Sequence, residues 1–214
     1  NKKTLLKVSR ISGPLFIFQI ASLLVNQCYN VIISAVAGLT LVADYNILVR
    51  IFSLISFSAA AIATPFYPAI REAYERKDFA WGEKSIWRAF FIRSGILAVF
   101  SVPLFFIGND LIGFWVGKAL ENNFGYWGWF FFIAFLFATG ISCAAGDLLL
   151  VMDDIWAQIK VALIHGAVVI IGLFLLIKPL GLIGVYIAAF AGQAYPAFWG
   201  VNRLRFKILK KFEK

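Results

Sequence analysis

The chain has 214 residues, of which 62% are hydrophobic and only 14% are charged, and its mean hydropathy is +0.86. Soluble domains average about 45–50% apolar and about 25% charged residues, so this composition excludes a cytosolic enzyme and a secreted disulfide module. The formal net charge of +9 is compatible with binding to nucleic acid, with binding to anionic lipid head groups, and with the uneven distribution of basic residues across a membrane. The positions of the charges along the chain distinguish these three interpretations. Asn1 stands where a full reading frame has Met, which predicts a fragment or a processed chain.

Six apolar stretches lie between clusters of charge, and each is close to the roughly 20 residues that cross a bilayer. Gly38 and Gly108 end apolar runs, and the segment 178–181 (Lys-Pro-Leu-Gly) predicts a tight turn between the last two stretches. The chain is therefore predicted to be an all-α, polytopic membrane protein with six transmembrane helices and no soluble domain. The predicted spans are 14–37, 42–68, 86–107, 125–152, 156–177 and 181–202.

The basic residues alternate with these spans. One side of the predicted membrane has 17 of the 20 Lys and Arg residues, the other side has Lys118 and Lys178, and Arg50 lies inside a span. Because Lys and Arg are concentrated in cytoplasmic segments, both termini are predicted to be cytoplasmic. The 17 residues are Lys2, Lys3, Lys7, Arg10, Arg71, Arg76, Lys77, Lys84, Arg88, Arg93, Lys160, Arg203, Arg205, Lys207, Lys210, Lys211 and Lys214.

The seven tryptophans fall at the ends of the predicted spans, as expected for indoles at a membrane–water interface. Trp115, Trp127 and Trp129 are placed at the outer ends, and the other four at the inner ends. The basic clusters follow the spans and are not interleaved with a stacking platform, so no nucleic-acid partner is expected. The expected surroundings are a lipid bilayer.

Groups able to do acid, base, nucleophilic or metal chemistry are few. His165 is the single histidine, Asp147 is the one acidic residue embedded in a span, and Cys28 and Cys143 lie far apart in apolar runs. The sequence has no HExxH, Walker loop, Gly-rich dinucleotide turn or nucleophile elbow. We expect neither an enzyme nor a metal site or cofactor.

A sparse polar lining is the main candidate site. Gln19, Asn26 and Asn30 are spaced +7 and +4, which places them on one face of the first span. Two interpretations remain open for this face and for Gln193 in the last span: interhelical hydrogen bonds that fix packing, or a lining of a water-filled cavity.

Arg50 lies some eight residues inside the second predicted span, about 12 Å below its outer end. An arginine at that depth is costly unless it faces a bundle interior, a cavity or a counter-ion. It either bonds helix carbonyls or recognises an anion, and its planar guanidinium suits phosphate oxygens. His165, near mid-depth in the fifth span, is either a packing partner or a second donor or proton-coupling group.

Several short runs, in this order and spacing, resemble the second half of the polysaccharide-transporter flippases, which include O-antigen flippases. That family belongs to the same superfamily as the multidrug and toxin extruders. The resemblance spans essentially the whole chain. The matching runs are Val42-Ala43-Asp44-Tyr45-Asn46, Arg50-Ile51-Phe52, Pro65-Phe66-Tyr67-Pro68-Ala69-Ile70, Glu72-Ala73-Tyr74, Lys77-Asp78, Leu111-Ile112-Gly113-Phe114-Trp115-Val116-Gly117 and Gly181-Leu182-Ile183-Gly184-Val185.

The resemblance implies one six-helix lobe of a two-lobe transporter in the bacterial inner membrane. Such a transporter moves an undecaprenyl-diphosphate-linked oligosaccharide to the outer leaflet for polysaccharide or lipopolysaccharide biosynthesis. Because a whole first lobe is missing from the 214 residues, the missing N-terminal lobe or a second copy is the expected partner. The alternatives are a lobe of a cation-coupled multidrug exporter and a non-transporting scaffold of a polysaccharide assembly complex.

Overall fold

The computed structural model describes residues 2–117, 124–152 and 154–212, and all regular secondary structure in these ranges is helical. Lys118 and Lys214, both part of the predicted charge distribution, lie outside the described residues. The helices are α1 (Lys2–Ala37), α2 (Leu39–Ala63), α3 (Phe66–Glu75), α4 (Phe79–Ser101), α5 (Leu104–Val116), α6 (Gly125–Val151) and α7 (Ile155–Phe212).

Four stretches of helix are long and apolar enough to cross a membrane, and the number becomes five if α4 and α5 form one broken span. These two helices meet at a 60° bend, with Pro103 at the start of α5. Proline has no N–H to continue the helical bonding, so the predicted span 86–107 is divided between two helices. Likewise, the predicted span 42–68 is divided at Thr64 and Pro65, and its end belongs to α3.

The long helix α7 reverses direction at Gly181, whose φ of 55° and ψ of −132° are not helical. A β-carbon at Gly184 would overlap the carbonyl of Leu176, although eight residues of straight helix would separate them by about 12 Å. A β-carbon at Gly172 would lie 2.8 Å from that of Ala188. The arms 155–180 and 182–212 therefore pack against each other as a hairpin, and the predicted turn at 178–181 is confirmed.

Trp129 of α6 is buried against α5. Its ring is 1% exposed and occupies the space that a β-carbon on Gly108 would need, and its Nε1 donates to Asn109 Oδ1 at 2.9 Å. Gly108 lies inside α5 and does not end a helix, which corrects the prediction for that residue. Here the small glycine lets an indole from α6 pack directly on the backbone of α5.

A partly buried ion pair and a tyrosine join α3, α4 and α6. Arg93 Nη1 pairs with Asp147 Oδ2, and the hydroxyl of Tyr67 lies 3.1 Å from both atoms. Arg93, which was predicted to lie on the cytoplasmic side of the membrane, is buried inside the bundle, whereas the side chain of Asp147 is 38% exposed. Burial of a charged group is costly unless it is paired and hydrogen-bonded, and Asp147 and Tyr67 meet that requirement.

A second group of charges ties the turn between α6 and α7 to the second arm of α7. Asp154 accepts from Arg203 Nε at 2.8 Å, and its Oδ2 lies 3.4 Å from Lys207 Nζ. Burial raises the pKa of the Asp154 carboxyl, but the hydrogen bonds and positive charges of Arg203 and Lys207 outweigh it, and the pKa is below its usual value.

Gly184→Ala is expected to lower the midpoint of thermal unfolding in detergent, because a methyl group there meets the backbone of Leu176 and the hairpin arms must separate. The loss should be about 1–3 kcal/mol. Gly113→Ala is the matched control, since a β-carbon at Gly113 meets nothing within 4 Å. An equal midpoint for the two variants would contradict the close packing of the arms.

Asp154→Asn is expected to lower stability by about 1 kcal/mol near neutral pH, because the charge-assisted bonds to Arg203 and Lys207 are lost. The folded-state pKa of Asp154 is depressed, so its contribution is present above the unfolded value of 3.8 and disappears as pH falls below that value. The difference in unfolding midpoint between wild type and Asp154→Asn should therefore narrow from pH 7 to pH 3. A difference that does not change with pH would show that the carboxylate charge contributes nothing.

Candidate functional site

A small cavity of about 100 Å³ lies among α1, α2, α6 and both arms of α7, and we call it the tyrosine cavity. It brings together three of the residues proposed from the sequence, Asn26, His165 and Gln193. The full lining is Asn26, Tyr29, Tyr45, Val49, Phe52, Phe132, Phe135, Thr139, His165, Tyr186, Ala189 and Gln193.

Three tyrosines from different helices form its aromatic wall. The rings of Tyr29 and Tyr45 are stacked, with centroids 5.6 Å apart and planes inclined by 7°. Tyr45 lies 6.3 Å from Tyr186, and Tyr186 meets Phe132 edge-on at 5.0 Å. Offset and edge-to-face contacts of this kind stabilise aromatic clusters beyond their buried area. The three tyrosine rings therefore form one packed cluster beside the other polar residues of the cavity.

Three buried polar atoms in this lining have no hydrogen-bond partner of good geometry among the described residues: Thr139 Oγ1, His165 Nδ1 and Tyr186 Oη. Tyr186 is 1% exposed and Thr139 is 7% exposed. Unpaired polar atoms in such positions cost about 1–3 kcal/mol each. At about 30 Å³ per water, the cavity has room for roughly three waters, which are the expected partners of these atoms.

The hairpin of α7 places His165 beside Gln193. A β-carbon at Gly192 would lie only 3.1 Å from His165 Nδ1. Because glycine has no side chain, the imidazole can pack between the two arms at this position. His165 and Gln193 are 28 residues apart in sequence, and the reversal at Gly181 brings them into the same cavity.

Asn30 has the packing role that the sequence left open. Asn46 Nδ2 donates to Asn30 Oδ1 at 3.2 Å and to the carbonyl oxygen of Val42 at 2.9 Å. The bond to Asn30 links α2 to α1, and the two helices run in opposite directions from the turn at Gly38. Asn30 is therefore part of the joint between two helices and does not line the tyrosine cavity.

The hydrogen bond between Asn30 and Asn46 also sets the register of α1 and α2. Asn26 lies one helical turn beyond Asn30, and Arg50 lies one turn beyond Asn46, so both are about 6 Å further from Gly38. Asn26 and Arg50 are consequently at the same level of the helix pair. Both side chains are exposed.

Arg50 and Gln19 lie on the open surface of the chain and outside the cavity. Arg50 is the twelfth of 25 residues in α2, roughly 16 Å from its first residue. It makes no hydrogen bond or ion pair with any other residue that the structure describes. The surface of α1 and α2 that carries Gln19, Asn26 and Arg50 is called the open face below.

Sequence analysis did not identify Thr139 or the three tyrosines as site residues. Each lies within an apolar run, where a Tyr or Thr has the pattern of an ordinary packing residue. It also did not pair Arg93 with Asp147, which are 54 residues apart. Within the described residues, no group of three or more His, Cys, Asp or Glu side chains is arranged to hold a metal ion.

Comparison with protein-family models, curated proteins and solved structures finds no match to this chain. The function of the chain is therefore inferred from its own residues.

Tyr186→Phe is expected to lower stability by about 1 kcal/mol, because it removes a buried hydroxyl whose expected partner is water inside the cavity. Tyr126→Phe is the control, since Tyr126 is 74% exposed and its change should be close to neutral. Thermal unfolding in one detergent measures both. A gain of stability for Tyr186→Phe would mean that the hydroxyl is unsatisfied in the folded protein and that the cavity is dry.

Proposed function

We propose that this chain is one lobe of a flippase in the bacterial inner membrane that moves an undecaprenyl-diphosphate-linked oligosaccharide from the inner to the outer leaflet. The proposal rests on the sequence resemblance and on one structural observation: Arg50 is exposed in the middle of an apolar helix without a protein partner among the described residues.

In this proposal the helices cross the membrane six times. α1, α2 and α6 each cross once, the bent pair of α4 and α5 crosses once, and the two arms of α7 cross once each. An even number of crossings places both termini on the same side. The excess of Lys and Arg near the termini and near the turn between α3 and α4 favours the cytoplasm as that side.

Arg50 carries the argument for an anionic substrate. Exposed large apolar side chains surround it along α2, including Leu39, Leu54 and Phe57 at 78%, 70% and 77%. A guanidinium facing hydrocarbon at mid-helix costs at least about 2.5 kcal/mol, whereas a phosphate can accept two parallel hydrogen bonds from it. The diphosphate of a lipid carrier supplies that charge.

The rest of the open face suits a neutral, hydroxyl-rich group. Asn26 lies at the level of Arg50, and Gln19 lies about two turns further along α1. Amide side chains both donate and accept hydrogen bonds, as sugar hydroxyls do. The diphosphate at Arg50 and the adjoining sugars along Asn26 and Gln19 give one continuous contact.

The tyrosine cavity is too small for this substrate, so we assign it a different part. At about 100 Å³ it has room for waters next to Asn26, which belongs both to the cavity and to the open face. In this proposal His165 and Gln193 line the cavity on the inner side of the open face, and they do not contact the oligosaccharide. Transport by alternating access makes and breaks no covalent bond, so neither a cofactor nor a metal is part of the proposal.

The open face requires a partner, because polar side chains on a membrane-embedded surface are normally covered by protein or line a cavity. The missing N-terminal lobe is the preferred partner, and a second copy of this chain is the other. A lobe reconstituted alone should therefore not flip the substrate.

The multidrug-exporter alternative calls for a membrane-embedded carboxylate free to bind a cation or proton. Asp147 pairs with Arg93, which argues against that role. The scaffold alternative gives Arg50 no ligand and leaves its exposure unexplained.

Arg50→Ala in the complete transporter is expected to abolish nearly all export, because the phosphate loses its counter-charge. Arg50→Lys should keep part of the activity, since lysine retains the charge but not the planar fork. Export is measured as surface polysaccharide at equal amounts of transporter in the membrane.

Arg76→Ala is the matched control, because Arg76 is an exposed arginine whose ion pair with Glu72 is at the surface. It should export at the wild-type rate. If Arg50→Ala accumulated normally and exported like Arg76→Ala, Arg50 would have no role in substrate recognition. Reduced accumulation of Arg50→Ala with normal export per molecule would instead assign Arg50 to folding.

A further inference from the structure

A shallow groove of about 550 Å³ runs along the outer surface of α4. Lys84, Trp87, Arg88 and Phe91 line it, together with Glu83. None of these residues belongs to the tyrosine cavity or to the open face, and the proposed function does not use them.

The charged end of the groove is basic. Lys84 and Arg88 are exposed and form no ion pair or hydrogen bond with another described residue. From the second arm of α7, the guanidinium carbon of Arg205 lies 5.9 Å from the centroid of the Trp87 ring. Two cations, Lys84 and Arg88, therefore line the groove together with one acidic residue, Glu83, and a third cation, Arg205, lies against the ring of Trp87.

An indole marks the boundary between the basic end and an apolar surface. Trp87 is half-buried and meets Phe90 edge-on at 5.8 Å, with Phe91 6.1 Å away on the same helix. These contacts fix the orientation of its ring. Indoles favour the depth at which lipid head groups meet acyl chains. Trp87 therefore places the basic end of the groove at the level of the lipid head groups.

Beyond Trp87, an exposed apolar stripe continues along the same face of α4. Phe91, Gly95, Val99 and Val102 follow at spacings of three or four residues, the period of one helix face. A β-carbon at Gly95 would meet nothing within 4 Å, so the stripe has an open trough between Phe91 and Val99. From Arg88 to Val102 the helix rises about 21 Å, enough for the roughly 15 Å of one leaflet's hydrocarbon.

We propose that this groove binds one molecule of an anionic phospholipid, with its phosphate between Lys84, Arg88 and Arg205 and one acyl chain along the stripe from Phe91 to Val102. Along α4 the cations Lys84 and Arg88 flank Trp87 and the apolar stripe follows them, which matches the order of head group and acyl chain in the lipid. Basic pockets at the cytoplasmic ends of transmembrane helices bind such head groups. The proposal requires that the chain lies in a membrane, but it does not require that the chain transports a substrate.

The test uses the chain in nanodiscs of phosphatidylethanolamine and phosphatidylglycerol, followed by native mass spectrometry of the lipids that stay bound. Wild type is expected to retain one phosphatidylglycerol per chain in preference to phosphatidylethanolamine. Each Lys or Arg near the head group contributes roughly fivefold in affinity. The double variant Lys84→Gln/Arg88→Gln should therefore lose at least about tenfold in the retained ratio.

The control removes the same amount of charge elsewhere. Arg76→Gln/Lys160→Gln takes two exposed cations from the predicted cytoplasmic side without touching the groove, and it should retain phosphatidylglycerol like wild type. Arg88→Lys, which keeps the charge, should also retain it.

Equal loss in both double variants, or no loss in either, would overturn the proposal. In either case the cations of the groove would contribute no more to lipid retention than cations elsewhere on the chain. Retention of both lipids in their bulk ratio would overturn it as well, while leaving a membrane location intact. A chain that enters no nanodisc would refute the membrane location, and with it both this proposal and the proposed function.

Discussion

The reversal of α7 at Gly181 is the constraint on which the rest of the structure depends. It requires a positive φ, and it requires small residues at Gly172, Gly184 and Gly192 so that the two arms can approach closely. Packing of small residues is also how helices associate in lipid, where burial of apolar surface gives no gain. The hairpin then determines which residues are neighbours in the structure. Near its middle it brings His165 to Gln193, and at its open end it brings Asp154 within reach of Arg203.

Two arginines on neighbouring helices of this bundle are satisfied in different ways. Arg93 is buried, and the fold provides both a carboxylate and a hydroxyl for it, so its charge is compensated within the chain. Arg50 is exposed on an apolar helix and has no such partner among the described residues. In the proposed function, the compensation for Arg50 comes from outside the chain, because an uncompensated arginine in hydrocarbon is costly. A substrate phosphate and the second lobe would provide it together.

The sequence predicted the all-helical class and the turn at 178–181, because each depends on local composition and spacing. The breaks at Pro65 and Pro103 were less predictable, since a proline within an apolar run either bends a helix or ends it. Long-range pairings could not be predicted at all. The bond from Arg93 to Asp147 and the meeting of Tyr29, Tyr45 and Tyr186 depend on helix arrangement, which leaves no periodic signal in one sequence. For the same reason, the amides of Asn26 and Asn30 looked equivalent in sequence, yet only Asn26 reaches the cavity.

The proposed function depends most directly on α7 crossing a membrane twice, with Gly181 on the outer side and Asp154 on the inner side. In a variant with Cys28 and Cys143 replaced by alanine, single cysteines are placed at Lys178 and at Lys160, which are both exposed and lie on the same arm of the hairpin. A membrane-impermeant thiol reagent is then added to intact cells and to permeabilised cells. We expect the cysteine at position 178 to react in intact cells and the one at position 160 to react only after permeabilisation. Reaction of both positions from the same side would contradict a membrane-crossing hairpin.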